Sequence, residues 1–168
     1  MNHTQYIKKT INAQIVNGFV TQGKGGNPAG VVLDADQLSD TDMLAIATKI
    51  GLSETAFVSS SNNQGFKLDF FTPNRRIAHC GHATIATFSY LAELGRVSEG
   101  LTSKETVDGP RQISIKNGAA FMEQVAPTYL QPDKWTNKGV LLDDVLQSLG
   151  ITEGDLSLSL APALVNTG

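Results

Sequence analysis

The chain has a single cysteine, Cys80, so no disulfide can close within it. A reducing cytoplasm is the natural setting for such a sequence. Long apolar runs are missing too. No stretch could cross a bilayer as a helix, and no membrane partner is expected. The first residues, Met1-Asn-His-Thr-Gln-Tyr-Ile-Lys-Lys9, lack the apolar core of a secretion signal. Charge is scarce, at 17% of residues and a net −3. That leaves no basic footprint, which argues against nucleic acid as the main partner. The loop Gly23-Lys-Gly-Gly-Asn-Pro28 lacks the Gly-Lys-Ser/Thr ending of a phosphate loop and leads into a strand. No Gly-x-Ser-x-Gly elbow is present to carry a serine nucleophile.

What remains is a globular composition. The 168 residues are 40% hydrophobic, enough for one ordinary domain with a real core. Residues 1–11 read as a loosely held lead-in, with a strand start at Tyr6 and Ile7 as the alternative. Residues 14–21 are β-branched and aromatic, the composition of a strand, and 29–34 return as a second one. Ser39 is a good N-cap, with Asp40 and Asp42 in the first turn. Met43, Ile46, Ala47 and Ile50 then recur at helical spacing up to Gly51. Strands follow from about Thr55 to Ser59 and over 66–72, where Phe66, Leu68 and Phe70 alternate with Lys67 and Asp69. Residues 96–110 are polar and read as an exposed loop anchored by Val97 and Leu101. Asn117-Gly118 between two strand-like runs predicts a hairpin. A helix over 140–149 and a final strand over 156–165, interrupted at Pro162, complete the pattern. This order predicts an α+β fold: a mixed, largely antiparallel sheet wrapped around a central helix.

That central helix runs from His82 to Leu94, and only Glu93 within it is charged. Ile85, Phe88, Leu91 and Ala92 make one face; Ala83, Ala86, Tyr90 and Leu94 make much of the other. Between them lie the small Thr84, Thr87 and Ser89. A surface helix has a polar back. This one has none, so other elements should surround it closely. Its first turn, Gly81-His82-Ala83, offers unpaired backbone N–H groups and the positive end of the helix dipole to an anion.

Three polar features sit at the edges of apolar elements: Asn27, Glu54, and His79-Cys80-Gly81-His82. Asn27 before Pro28 serves either as a turn former or as a site residue. Glu54 is either an ordinary exposed acid or one held at the start of a strand. Cys80 reads first as a small buried hydrophobe, although a helix N-terminus is also where a thiol pKa can fall. A metal held by His79, Cys80 and His82 would need a further ligand. The only other histidine is His3 and no Cys-x-x-Cys exists, so no metal is expected. A carboxylate on the helix start, with Glu54 or His82 beside it, suits proton abstraction without a cofactor.

Four ordered segments carry a resemblance: Gly26-Asn-Pro-Ala-Gly-Val-Val, Leu52-Ser-Glu-Thr-Ala-Phe-Val, Phe71-Thr-Pro and Cys80-Gly-His-Ala-Thr-Ile-Ala. In this order and spacing they resemble the PhzF-like phenazine-biosynthesis family, among the diaminopimelate-epimerase-like isomerases. The resemblance implies two similar halves, each a sheet around a helix, with an acid–base isomerase site in the cleft between them. It implies that Glu54 is the catalytic acid/base and His82 the active-site histidine. It places Gly81 and His82 on a small carboxylate substrate, with Asn27 beside them, and requires no cofactor. Cys80 aligns with a catalytic cysteine of the epimerase relatives and is left out of the catalytic set here. Arg76 stands where members often have an acid, and His79 where they often have an apolar residue.

Members of that family are roughly twice as long, and their second half supplies an Asp-Pro-Ala-Thr-Gly-Ser-type segment absent here. Residues 1–163 therefore read as an N-terminal half, and 164–168 as the start of the crossing to an absent second half. A one-walled cleft cannot exclude water. Its uncovered apolar surface favours a homodimer or a complementing second-half chain. The reading from another class is a non-catalytic small-molecule-binding or assembly module using the same pocket.

Overall fold

The computed structural model describes residues 10–135 and 139–166. They fall into two compact units, Met1–Glu123 and Gln124–Gly168. The strand start considered at Tyr6 and Ile7 lies outside the described residues, as do Thr167 and Gly168 of the proposed crossing.

The first unit is one sheet and two helices. β1 (Gln14–Gly18) pairs antiparallel with β2 (Asn27–Val32), and β2 pairs in parallel with β3 (Thr55–Ser59). Next to β3 lies the antiparallel β4 (Phe66–Phe71), with the two-residue β5 (Arg76–Ile77) attached to it. β6 (Gly100–Glu105) joins β4 in parallel, and β7 (Arg111–Lys116) and β8 (Ala119–Met122) finish the sheet antiparallel. The mixed, curled sheet is the α+β architecture expected. At the β7–β8 turn, Asn117 and Gly118 adopt φ of 53° and 74°. Those values match the turn type that Asn-Gly favours.

α1 (Asp40–Ile50) starts from Ser39, whose side chain accepts from the Asp42 N–H while Asp42 reaches back to Ser39. This is a complete capping box. It packs Met43 and Ala47 with Val32, Phe57 and Phe71 on one face of the sheet. α2 (Gly81–Glu93) takes the other face and touches β1, β2 and β3 as well as β7 and β8. Reaching strands near both ends of the sheet is possible only because the sheet curls round the helix. Phe88 and Leu91 have no exposed surface, and Ala83, Thr84, Ala86 and Thr87 are buried with them. Burial of a side chain such as Phe88 contributes about 1.5–3 kcal/mol. The missing polar back of this helix is thus explained: sheet lies on most sides of it.

Four stretches depart most from the reading of the sequence. β1 stops at Gly18, and Phe19 turns away with a φ of 58°. β2 begins two residues earlier, at Asn27. The expected loop over 96–110 contains β6. Its alternation is inverted, with Leu101 pointing out at 71% exposure and Lys104 pointing in at 0%. A polar residue inside and an apolar one outside conceal the strand from a hydrophobic pattern. The expected strand over 156–165 shrinks to β10 (Leu164–Asn166), paired with β9 (Thr128–Leu130) in the second unit. A short 3₁₀ turn at Glu153–Asp155 and exposed Leu158 and Leu160 occupy the region before it.

The second unit also holds α3 (Leu142–Leu149), closed by Gly150 in the left-handed region. Trp135 is buried there, and its Nε1–H donates to the Leu130 carbonyl at 2.6 Å. Among the described residues no helix is long and apolar enough to cross a membrane.

One glycine ties the sheet to the site. A Cβ on Gly30 would stand 2.7 Å from Thr55 Oγ1 and 3.0 Å from its Cγ2, and Thr55 is fully buried. The same Gly30 donates its N–H to the Glu54 carbonyl at 3.0 Å. Gly30→Ala should therefore force β2 and β3 apart and cost about 1–3 kcal/mol, typical of overpacking. Urea unfolding of the variant measures it; a midpoint equal to that of the parent would contradict the close approach.

Candidate active site

Glu54 immediately precedes β3, and the pleat of that strand decides where it points. Ala56 and Val58 pack in the cluster around α2, while Phe57 packs on the α1 side. Alternation places Glu54 on the α2 face. Its Oε2 lies 3.4 Å from His82 Nε2, with the two side chains only 22% and 13% exposed. That distance is within ion-pair range, but the groups are not aligned as a hydrogen bond. The buried His82 Nε2 has no hydrogen-bond partner among the described residues. On the other side of the ring, His82 Nδ1 meets Cys80 Sγ at 3.4 Å.

Cys80 is the N-cap of α2 but makes no side-chain capping bond. Burial pushes its thiol pKa up, against the downward pull of the nearby Ala83 N–H. Cys80 is therefore a thiol near neutral pH. The first-turn N–H groups of Gly81, His82 and Ala83 precede the first intrahelical bond, which Thr84 N–H makes to the Cys80 carbonyl at 3.2 Å. Gly18 lets β1 approach this turn: a Cβ there would lie 3.0 Å from the His82 carbonyl. Asn27 pairs with Gly18 across the β1–β2 ladder. By the alternation of Ala29 and Val31 it shares the α2 face, where it remains exposed.

Glu54, Cys80 and His82 are thus brought together, and Gly81 lies between the latter two in the chain. Asn27 stands at the rim, joined to the others through Gly18. The donor atoms of Glu54, Cys80 and His82 lie within 4.8 Å of one another. An ion of the zinc type would need the thiolate form of Cys80. Burial of the thiol works against that form.

Reading the sequence missed a second set of groups behind the helix start. Lys104 of β6, fully buried, donates to Thr84 Oγ1 at 2.8 Å and reaches His79 Nδ1 at 3.2 Å. Its Nζ also lies 5.1 Å from the centre of the Phe70 ring. Burial, reinforced by the charge of Arg111, pulls the Lys104 pKa down to about 8. Burial also lowers the pKa of His79, and the Lys104 charge adds to that effect. A lysine at an inward position of the inverted strand was the available signal. It became readable only once β6 was known to be a strand.

The phenazine biosynthesis-like protein family, PhzC-PhzF, matches residues 16–145. The chain belongs to this family. Among its relatives, the uncharacterized isomerase YfhB of Bacillus subtilis (strain 168) is 36% identical over 155 residues, covering 89% of this chain and 51% of the relative. The uncharacterized isomerase YddE of Escherichia coli K12 is 29% identical over 157 residues, covering 91% and 52%. The chain therefore spans about half the length of these relatives. A crystal structure of a PhzF-family phenazine biosynthesis protein from Bacillus anthracis superposes with a TM-score of 0.76 at 33% identity, covering 95% of this chain and 54% of that one. The fold is shared further, with a predicted epimerase from Pseudomonas aeruginosa at a TM-score of 0.71 and 18% identity, covering 93% and 56%.

Proposed function

We propose that this PhzC-PhzF chain supplies half of a cofactor-independent isomerase that moves a proton on a small carboxylate-bearing metabolite. Glu54 is the general acid/base and His82 its partner. The observation that carries the reading is their 3.4 Å contact at the start of a buried helix. A carboxylate seated on the Gly81 and His82 N–H groups would place its adjacent C–H within reach of that pair. Proton removal there leaves a carbanion whose negative charge spreads onto the carboxylate. First-turn N–H groups and the helix dipole stabilise that charge better than water does. Asn27, at the rim, contacts the far side of the substrate. The names of the relatives, which call them isomerases, support the reaction class.

The half-length match leaves the second wall of the cleft to residues equivalent to the relatives' other half. It also keeps alive a second reading, a binding or assembly module without turnover. An exchange assay separates the two. The chain is incubated in D₂O with a panel of small amino, hydroxy and unsaturated carboxylates, alone and with a separately produced second-half polypeptide of the family. Deuterium wash-in, followed by proton NMR, is expected only in the mixture. No exchange with any panel member in either case, while a carboxylate still binds, would favour the module.

A further inference from the structure

Lys104 is a buried charge that the proposed proton transfer does not use. It makes no ion pair with a carboxylate among the described residues, and Thr84, His79 and the face of Phe70 surround its ammonium. We infer that Lys104 is a positioning residue of the anion site: through Thr84 it fixes the peptide plane that aims the Gly81 N–H, and its ammonium adds positive charge behind that plane. The inference rests on the reading of the helix start as a carboxylate site.

The path from side chain to backbone takes two hydrogen bonds. Thr84 has one hydroxyl proton, and it goes to the Cys80 carbonyl at 2.6 Å. The hydroxyl must then accept, and Lys104 Nζ is the donor at 2.8 Å. The Cys80 carbonyl also takes the Thr84 N–H, so two bonds from one residue hold it. A carbonyl and the following N–H point in opposite directions within one trans peptide plane. Pinning the Cys80 carbonyl into the helix therefore turns the Gly81 N–H out of it, toward an incoming carboxylate. The nearly dry surroundings let the Lys104 charge act over this distance with little screening.

The groups facing Lys104 let its own titration be recognised. His79, before α2, accepts from it and is kept neutral by burial. Cys80 of the helix start has its thiol pushed up. From the other side come Arg111 of β7, which disfavours the ammonium, and Asp108 of the adjoining turn, which favours it. Lys104 is charged below about pH 8 and neutral above. Anion affinity should accordingly be high at pH 7 and fall through that range.

The test uses sodium acetate as the probe and the amide signals of Gly81 and His82 as the readout. The ¹⁵N-labelled chain is titrated at pH 7 and pH 9.5, with sodium chloride holding ionic strength constant. The parent should show saturable shifts, with affinity about tenfold weaker at the higher pH. Lys104→Met should bind about tenfold more weakly at pH 7 and lose most of the pH dependence. Thr84→Val keeps the ammonium but cuts its link to the Cys80 carbonyl. It should weaken binding by a few fold while the pH dependence stays, an outcome that a merely structural lysine would not give. Parent-like affinity and pH profile in Lys104→Met would overturn the inference. If the spectrum of Lys104→Met shows an unfolded chain, parent-like binding by Thr84→Val overturns the positioning role instead. Absence of saturable shifts in the parent itself would remove the anion site, and the role of Lys104 with it.

Discussion

If the proposed chemistry holds, Glu54→Gln should lower the exchange rate of the chain mixed with a second-half polypeptide by about a hundred- to ten-thousand-fold, the range that a positioned acid/base supplies. The substitution is nearly isosteric, so the Gly30–Glu54 backbone bond and the packing of Thr55 stay in place. What disappears is the ability to take a proton. The amide can still touch His82, and the first-turn N–H groups still hold the carboxylate. The loss should therefore fall on kcat, with KM changed by only a few fold. The measurement is steady-state deuterium wash-in on the carboxylate that the panel identifies, for parent and variant mixed with the same second-half polypeptide. A variant within about threefold of the parent would sink the role of Glu54, whatever its KM, because Brønsted-type catalysis cannot lose its base and keep its rate. A loss confined to KM would instead assign Glu54 to binding.

Lys104→Met should reshape the dependence of stability on pH. In the fold Lys104 titrates at about 8, against 10.5 for an unperturbed lysine. Between those values the unfolded chain holds a proton that the folded chain has lost, so stability rises with pH across the window. At about 1.4 kcal/mol per pH unit, keeping the buried ammonium at pH 7 costs about 3 kcal/mol. Methionine fills a similar volume without that cost. Thr84 loses the donor that fixes its hydroxyl on the Cys80 carbonyl, a change that does not vary with pH, and the half-buried His79 can turn to water. The stability advantage of the variant over the parent should therefore shrink by about 3 kcal/mol between pH 7 and pH 10.5. Urea unfolding at several pH values reads this difference. The raised thiol of Cys80 contributes with the opposite sign but is common to both proteins and largely cancels. An advantage that stays constant with pH would mean that Lys104 titrates normally. A residue that destabilises the fold while it orders the helix start is in keeping with ionisable groups of perturbed pKa gathering at functional sites.

Much of the fold was legible because its clearest elements follow simple rules. α2 announced itself by having almost no charge, and burial by the curled sheet is the reason. The Ser39 box and the Asn117-Gly118 turn are local devices, and local chemistry is readable from local sequence. β6 was not legible, because Lys104 occupies an inward position and Leu101 an outward one. β5 is two residues long and exists only through its pairing with β4. The run from Leu156 to Leu160 alternates leucine and serine like a strand, but pairing is decided by distant chain, and among the described residues no strand pairs with it. The site divides in the same way. Residue types made Glu54 and His82 plausible, and the resemblance to a family gave them roles. Their 3.4 Å contact depends on the parallel register of β2 and β3, which no local pattern encodes. Lys104 and Thr84 needed the whole sheet.

Cys80 is the sole thiol of the chain, and it is 8% exposed against the His82 ring. A maleimide or disulfide reagent in solution can reach it only when the first turn of α2 loosens. The rate at which the untouched protein becomes labelled is therefore a clock for local opening at this spot, separate from global unfolding. No engineered probe is needed. Anything that binds over the helix start would slow the clock, which makes the protein its own sensor for ligands at this spot.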